Sequence, residues 1–304
     1  MSFSTNTKNE LCSLRQERCC SLAFVYGALS FANIWNKDLI KITTENECFS
    51  KYISHELLRL FNITPQIKKT TGKNSTSYTV FIDSAAHIRR ISLGFGVDIS
   101  PLSMKIDHRL LSRDCCRNAF IRGAFLSAGS ITSPEKAYHL EFTTHRVKLA
   151  EEFTTLLMEY ELHPKLTLRK SNRIIYFKDS SEIEDILNIM GAVKSSFDFI
   201  NEKIVKEIRN DANRRSNCEA ANISKTVEAA MAQTAAIKKL KLSRRFDFLP
   251  PKLLYIAKLR SENQLASLSE LSAMTDPPMS KASVNRCLKQ IVAIANGKKK
   301  EDIK

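Results

Sequence analysis

Residues 280–291 read SKASVNRCLKQI. Val284, Cys287, Leu288 and Ile291 recur at i, i+3, i+4 and i+7, the spacing of one buried stripe on an α-helix. At about 100° per residue, Ser283, Arg286, Lys289 and Gln290 point away from that stripe. Lys281 and Asn285 flank it, and Ser280 stands where it can cap the helix. The chemistry open to this face is recognition. A guanidinium offers paired donors to guanine, and a carboxamide offers a donor and an acceptor to adenine, so Arg286 and Asn285 can read base edges. Lys281 and Lys289 suit phosphates.

Bond-breaking chemistry finds no comparable set. His55, His87, His108, His139, His145 and His163 are scattered, without metal-ligand or nucleophile spacing. No glycine-rich phosphate loop is present. Asp38, Asp114 and Glu135 read as ordinary surface acids. The eight cysteines contain no Cys-x-x-Cys pair, so their spacing does not point to zinc, and they are expected to be reduced thiols. No cofactor and no metal is expected.

The polar helix needs a frame. Leu249-Pro250-Pro251 opens the module, since proline starts helices well. A helix over 252–261 follows, then one over 267–274 with Leu268, Leu271 and Met274 on one side. Asp276-Pro277-Pro278 breaks the chain before the polar helix, at about 281–294. Helix, turn and polar helix is the helix-turn-helix order, whose second helix enters the major groove. A plain three-helix bundle with a solvated face has the same pattern. Charge favours DNA: the chain carries +15, and residues 193–304 hold 22 Lys+Arg against 12 Asp+Glu. Such a surplus is what releases counterions from phosphates.

Upstream, a helix is expected over 197–217 with Lys203, Lys206, Arg209, Arg214 and Arg215. Ser216-x-x-Glu219 has capping-box spacing, which predicts a break and a second helix over about 222–242. Its basic end (Lys238, Lys239, Lys241, Arg244, Arg245) fits phosphate or a helix C-terminus equally. Lys298–Lys300 is expected to be disordered and to add non-specific attraction.

The first 192 residues repeat themselves. Cys19-Cys20 precedes the helical SLAFVYGALSFANI (21–34), and Cys115-Cys116 precedes RNAFIRGAFLSAGSI (117–131). Gly27 and Gly123 match, as do Ala28 and Ala124. Each helix is followed by a strand (39–44; 138–144), a helix (48–61; 147–160), two strands (66–70 and 77–83; 165–170 and 173–179) and a last helix (from Ser84 to near Gly94; from Ser180 to Gly191). Alternation at Ile40/Ile42 and Leu140/Phe142 supports the strands. Two α-β-α-β-β-α copies about a pseudo-two-fold axis form a saddle of sheet with a helix pair at its centre. Gly27, Ala28, Ala32, Gly123, Ala124 and Ala128 supply the small residues such a pair needs. Trp35 is expected in the core or at its rim.

IRGAFLSAGS (121–130) and, more loosely, VYGALSFANI (25–34) resemble the signature helix of the LAGLIDADG homing endonucleases. In that family an acidic residue near the helix end binds the metals that cut DNA. The matching positions are Ala32 and Ala128, with Ser30 and Leu126 at the motif's first acidic position. Asn33 replaces the motif's glycine. Two-metal cleavage needs carboxylates, so the resemblance implies a nuclease fold without catalytic residues. The chain also resembles the WhiA family from Met1 to about Ile291. MSFS, RCC (18–20), CCRNAFIRGAFLSAGSITSPEKAYHLEF (115–142), IVKEIRNDANRRSNCEAANISKT (204–226) and SLSELSAMTDPPMSKASVNRCLKQI (267–291) carry that likeness. It implies a bacterial DNA-associated regulator of division, chromosome segregation or, in sporulating relatives, transcription.

The expectation is an α+β protein: a duplicated LAGLIDADG-like saddle (1–192, repeats about 1–97 and 98–192), a helical connector (193–246), an all-α helix-turn-helix domain (247–295) and a basic tail (296–304). It is expected to be no enzyme, to bind double-stranded DNA, to span no membrane, and to lie on the nucleoid in the cytoplasm. Two alternatives stay open: a saddle that binds protein or a small ligand while the helix-turn-helix alone holds DNA, and residual endonuclease activity.

Overall fold

The computed structural model describes residues 2–72, 75–97 and 105–297. They form two compact units, Met1–Glu207 and Ile208–Lys304.

The first unit opens with a helix that the polar N-terminal sequence does not announce, α1 (Phe3–Cys12), capped by the Ser2 hydroxyl. The first repeat then runs α2 (Arg18–Ser30), β1 (Ile34–Trp35), β2 (Ile40–Thr44), α3 (Glu47–Phe61), β3 (Gln66–Thr71), β4 (Thr76–Ile82) and α4 (Ala85–Phe95). The second runs α5 (Asp114–Ala128), β5 (Gly129–Ile131), β6 (Leu140–Thr144), α6 (Val147–Met158), β7 (Lys165–Arg169), β8 (Asn172–Phe177) and α7 (Ser180–Met190). Both sheets are antiparallel, with the matching orders β1-β2-β4-β3 and β5-β6-β8-β7. Each copy thus has one strand more than the sequence pattern predicts. β1 and β5 are two and three residues long, too short to show an alternation.

The registers agree with the apolar pattern. Ile40 and Ile42 pair with Ile82 and Val80, and Leu140 and Phe142 pair with Phe177 and Ile175; all eight are buried. Asn46, Ser84 and Asp179 cap α3, α4 and α7 through their side chains. Gly96 and Gly191 end α4 and α7 at φ values of 68° and 85°, a region that glycine enters without a Cβ penalty. One apolar core runs through both repeats and includes Trp35.

Helix α8 (Val193–Leu242) is a single helix of 50 residues. The expected break at Ser216–Glu219 is absent. The segment contains neither glycine nor proline, and a capping-box spacing starts a helix only where something else has stopped the previous one. Glu10 of α1 accepts from the Lys194 and Ser195 amides at 2.7 and 2.9 Å, satisfying the first turn of α8.

In the second unit, α9 (Pro251–Glu262), α10 (Leu268–Ala273) and α11 (Lys281–Ala295) follow. Their core contains Leu253, Ile256, Leu271, Val284, Leu288 and Ile291, together with Ala236, Ile237 and Leu240 from the last turns of α8. Of the basic tail expected over 296–304, residues 298–304 lie outside the described residues. Among the described residues, no helix is long and apolar enough to cross a membrane.

Candidate nucleic-acid interface

The turn between α10 and α11 is fixed by side chains. The Ser267 hydroxyl and the Glu270 carboxylate form a reciprocal capping box at the start of α10. At its end, Ser272 donates to the Met279 carbonyl at 2.6 Å, and Thr275 Oγ1 accepts from the Met279 amide at 2.8 Å. The Tyr255 hydroxyl accepts from the Asp276 amide at 2.9 Å, tying the turn to α9. Arg260 is buried and donates to the carbonyls of Asn263, Gln264 and Ala266. The guanidinium's several donors hold the loop before α10.

Helix α11 starts from Ser280, whose hydroxyl accepts from the Ser283 amide at 3.2 Å. Val284, Cys287, Leu288 and Ile291 are buried. Arg286 and Lys289 are exposed on the opposite side. Ser283 and Gln290 are half-buried, and with Arg286 they line a groove against Pro250 and Lys252 at the start of α9. Lys281 is exposed on the other flank, in a second groove with Lys225, Arg260 and Ser267. Asn285 is half-buried. The sequence-predicted residues therefore lie on one helix but around three of its sides, with Arg286 and Lys289 most fully presented.

The other place that bears on nucleic-acid chemistry is the α2–α5 pair. These helices make the most extensive contact between any two elements. Ala32 is buried just past the end of α2, and Ala128 ends α5. The last-turn carbonyls of both helices are taken by cations. Arg146 donates to the carbonyls of Ser30 and Ala32 at 2.8 and 2.9 Å. Lys8 donates to the carbonyl of Leu126 at 3.2 Å. Ser30 and Leu126 are equivalent positions in the two repeats. Burial pushes the Arg146 guanidinium down to about 10 and the Lys8 ammonium down to about 8. Asp38 and Glu135 are exposed. Asp114 sits in the first turn of α5, at the far end from Ala128, beside Arg117.

Two family models match this chain. The WhiA LAGLIDADG-like domain covers residues 117–209, and the WhiA C-terminal HTH domain covers residues 212–295. A "Probable cell division protein WhiA" from Alkaliphilus metalliredigens is 34% identical over the whole of both chains. The chain belongs to the WhiA family. A protein of the same name from Clostridium novyi is 37% identical over 99% of each chain. The crystal structure of full-length DUF199/WhiA from Thermatoga maritima superposes with a TM-score of 0.58 at 21% identity, covering 97% of this chain and 98% of that one. That likeness concerns the fold: a degenerate LAGLIDADG-like domain followed by a helix-turn-helix.

The WhiA LAGLIDADG-like match begins at Arg117, one residue after a cysteine pair. In this WhiA-family chain the fold brings that pair to the other one. The Sγ atoms of Cys19, Cys20, Cys115 and Cys116 all lie within 4.8 Å of one another. Cys19 and Cys115 are exposed, Cys20 is half-buried and Cys116 is buried. Burial pushes the Cys20 thiol up to about 12 and the Cys116 thiol up to about 11. Burial opposes ionisation of Cys19 too, yet hydrogen bonds from Cys20 and Cys116 hold it below the ordinary thiol value. Ligand spacing along the chain does not reveal this group, because its halves are 96 residues apart. The repeat offset was the available signal: equivalent positions next to a two-fold axis must meet. Lys8 and Arg146 gave no such signal, being single residues outside the repeated motif.

Proposed function

We propose that this WhiA-family chain is a DNA-binding regulator of bacterial cell division that performs no chemistry, and that α11 holds duplex DNA. The observation that carries this reading is the exposed ridge of α11. Arg286 and Lys289 stand on it, while the opposite face packs into the core. Ser280, Lys281, Ser283, Asn285 and Gln290 surround the two cations and supply the polar contacts of a groove-reading helix. The surplus of positive charge in residues 193–304 supplies the attraction to phosphate. The division role is taken from the names of the relatives. Chromosome segregation, and transcriptional control of the sporulation type, accompany it as roles of the wider family. Binding to DNA places the chain on the nucleoid.

The absence of nuclease activity is supported by two features together. Alanine stands at both metal-anchoring positions, and the helix ends that would face the metals already accept hydrogen bonds from Arg146 and Lys8. Hard divalent cations need carboxylates, and neither helix end offers one.

The test is a titration of fluorescent duplex DNA with the full chain, across a range of salt. The reading expects the Arg286→Ala/Lys289→Ala variant to lose most affinity and to show a shallower salt dependence. Unchanged affinity and slope in a variant that is folded would remove α11 from the interface and leave the LAGLIDADG-like unit as the DNA reader.

A further inference from the structure

We propose that Cys19, Cys20, Cys115 and Cys116 form a four-thiolate site for one zinc ion, placed on the pseudo-two-fold axis at the N-terminal ends of α2 and α5.

Each helix contributes two ligands from its first turn, and the two pairs occupy equivalent positions of the repeat. Symmetry thus supplies a two-plus-two set without any Cys-x-x-Cys spacing. The distances fit a single ion. A zinc–sulfur bond of about 2.3 Å puts the sulfurs of a tetrahedral site roughly 3.8 Å apart. Here Cys19 and Cys20 are 3.9 Å apart, and no pair of the four exceeds 4.8 Å. An iron–sulfur cluster spreads its cysteines over several irons and needs them further apart.

Packing alone does not account for the group. A cysteine kept as a small apolar residue belongs in the core, as Cys287 does in the second unit. Cys19 and Cys115 instead reach solvent, so an ion can reach the group from their side. Without an ion, burial holds the Cys20 and Cys116 thiols protonated, so a metal binds by releasing their protons and forming thiolates. Four of them with one divalent cation carry two negative charges, and they sit at two helix N-termini, where the backbone dipoles are positive. Arg18 directly precedes the first pair and Arg117 directly follows the second, with Asp114 before Cys115 paired to Arg117. The ion would clasp the helices at one end of the α2–α5 pair, leaving their other ends to Arg146 and Lys8.

The experiment uses the full chain without a metal-binding tag, purified under reductant and without chelator. Elemental analysis is expected to find about one zinc per chain. Replacing the zinc by cobalt(II) is expected to give sulfur-to-cobalt charge-transfer absorption with the intense visible bands of a tetrahedral site. Alkylation of the native protein should reach Cys48 and Cys218, a chelator should make four further thiols reactive while Cys12 and Cys287 stay buried, and the chelator should lower Tm. The Cys20→Ser/Cys116→Ser variant should lose both metal and absorption, whereas Cys48→Ser/Cys218→Ser should keep them. Folded, reduced wild-type protein that holds no zinc and gives no cobalt spectrum would overturn the proposal. Mapping of two disulfides among these four cysteines in protein kept under reductant would also overturn it. Both outcomes are read on the wild-type chain, so a variant that fails to fold does not protect the idea.

Discussion

Gly27 rests against the backbone carbonyl of Phe120, so closely that a β-carbon on Gly27 would overlap it. The relationship is reciprocal, since a β-carbon on Gly123 would overlap the carbonyl of Phe24. Phe24 and Phe120 are themselves equivalent positions, as are the two glycines. The crossing of α2 and α5 is thus a two-fold contact of backbone on backbone, and it fixes how the two repeats share one core.

Replacing either glycine by alanine puts two predictions of opposite sign in competition. Helix propensity alone favours alanine by about 1 kcal/mol. The overlap is with backbone, which cannot rotate away, and forced separation of packed helices costs about 2–3 kcal/mol. Gly27→Ala and Gly123→Ala are therefore expected to destabilise the chain by similar amounts, measured from the urea midpoint. A gain in stability from either variant would show that the helices separate freely and that the crossing is loose.

The Lys8 ammonium predicts an unusual pH dependence. Burial lowers its folded-state pKa from 10.5 to about 8. Between those values the unfolded chain holds more protons than the folded one, so stability rises with pH across the window. Below about 8 the folded chain carries the full cost of the buried charge. Compared at each pH with Lys8→Met, which removes this titration, the wild-type chain should gain up to roughly 3 kcal/mol between pH 8 and 10.5. The comparison cancels the tyrosines and the cysteines that ionise in the same range, apart from Cys12, whose own ionisation is linked to Lys8 and is pushed above this window by burial. A parallel pair of stability curves would mean that the ammonium stays hydrated.

Carboxylates restored to the motif should not restore a nuclease. In Ala32→Asp/Ala128→Asp the new side chains arise beside helix ends already bonded to Arg146 and Lys8. An aspartate there meets a fixed cation before it meets magnesium, and an ion pair does not activate water. Plasmid nicking in magnesium or manganese should be absent from the wild-type chain and from this double variant. Metal-dependent nicking by the wild-type chain, abolished by disrupting both motif helices, would show that other residues had replaced the lost acids.

What the sequence made legible follows from the range of the interactions involved. Strands β2, β4, β6 and β8 have period-two apolar patterns against a single core, and helices α3, α4, α6 and α7 lie close to their expected bounds. Their determinants are a few residues apart. Helix α8 was misread because Ser216 and Glu219 satisfy a local rule that a long uninterrupted helix overrides. Lys8 reaches Leu126 over 118 positions and Arg146 reaches Ser30 over 116, and no local pattern encodes such partners. The α11 face was legible as a pattern, but its division between two flanking grooves depends on where α9 and α10 pack.

Arg286 and Lys289 should fail differently when each is replaced by alanine. A guanidinium bidentate to a guanine discriminates among bases, so Arg286→Ala is expected to cost about 1–3 kcal/mol on a preferred site and to relax selectivity at one base pair. A lysine on phosphate carries no sequence information. Lys289→Ala should weaken all duplexes about equally and reduce the slope of log K against log salt by about 1. The two effects separate in one experiment, a salt series on a selected duplex and on a scrambled one. If Arg286→Ala lowers both duplexes equally, its side chain lies on the backbone and the reading of α11 shifts. Ser283 and Gln290, which share its groove, would then lie nearer the strand than the bases, and Asn285 on the other flank would become the residue left to contact a base edge.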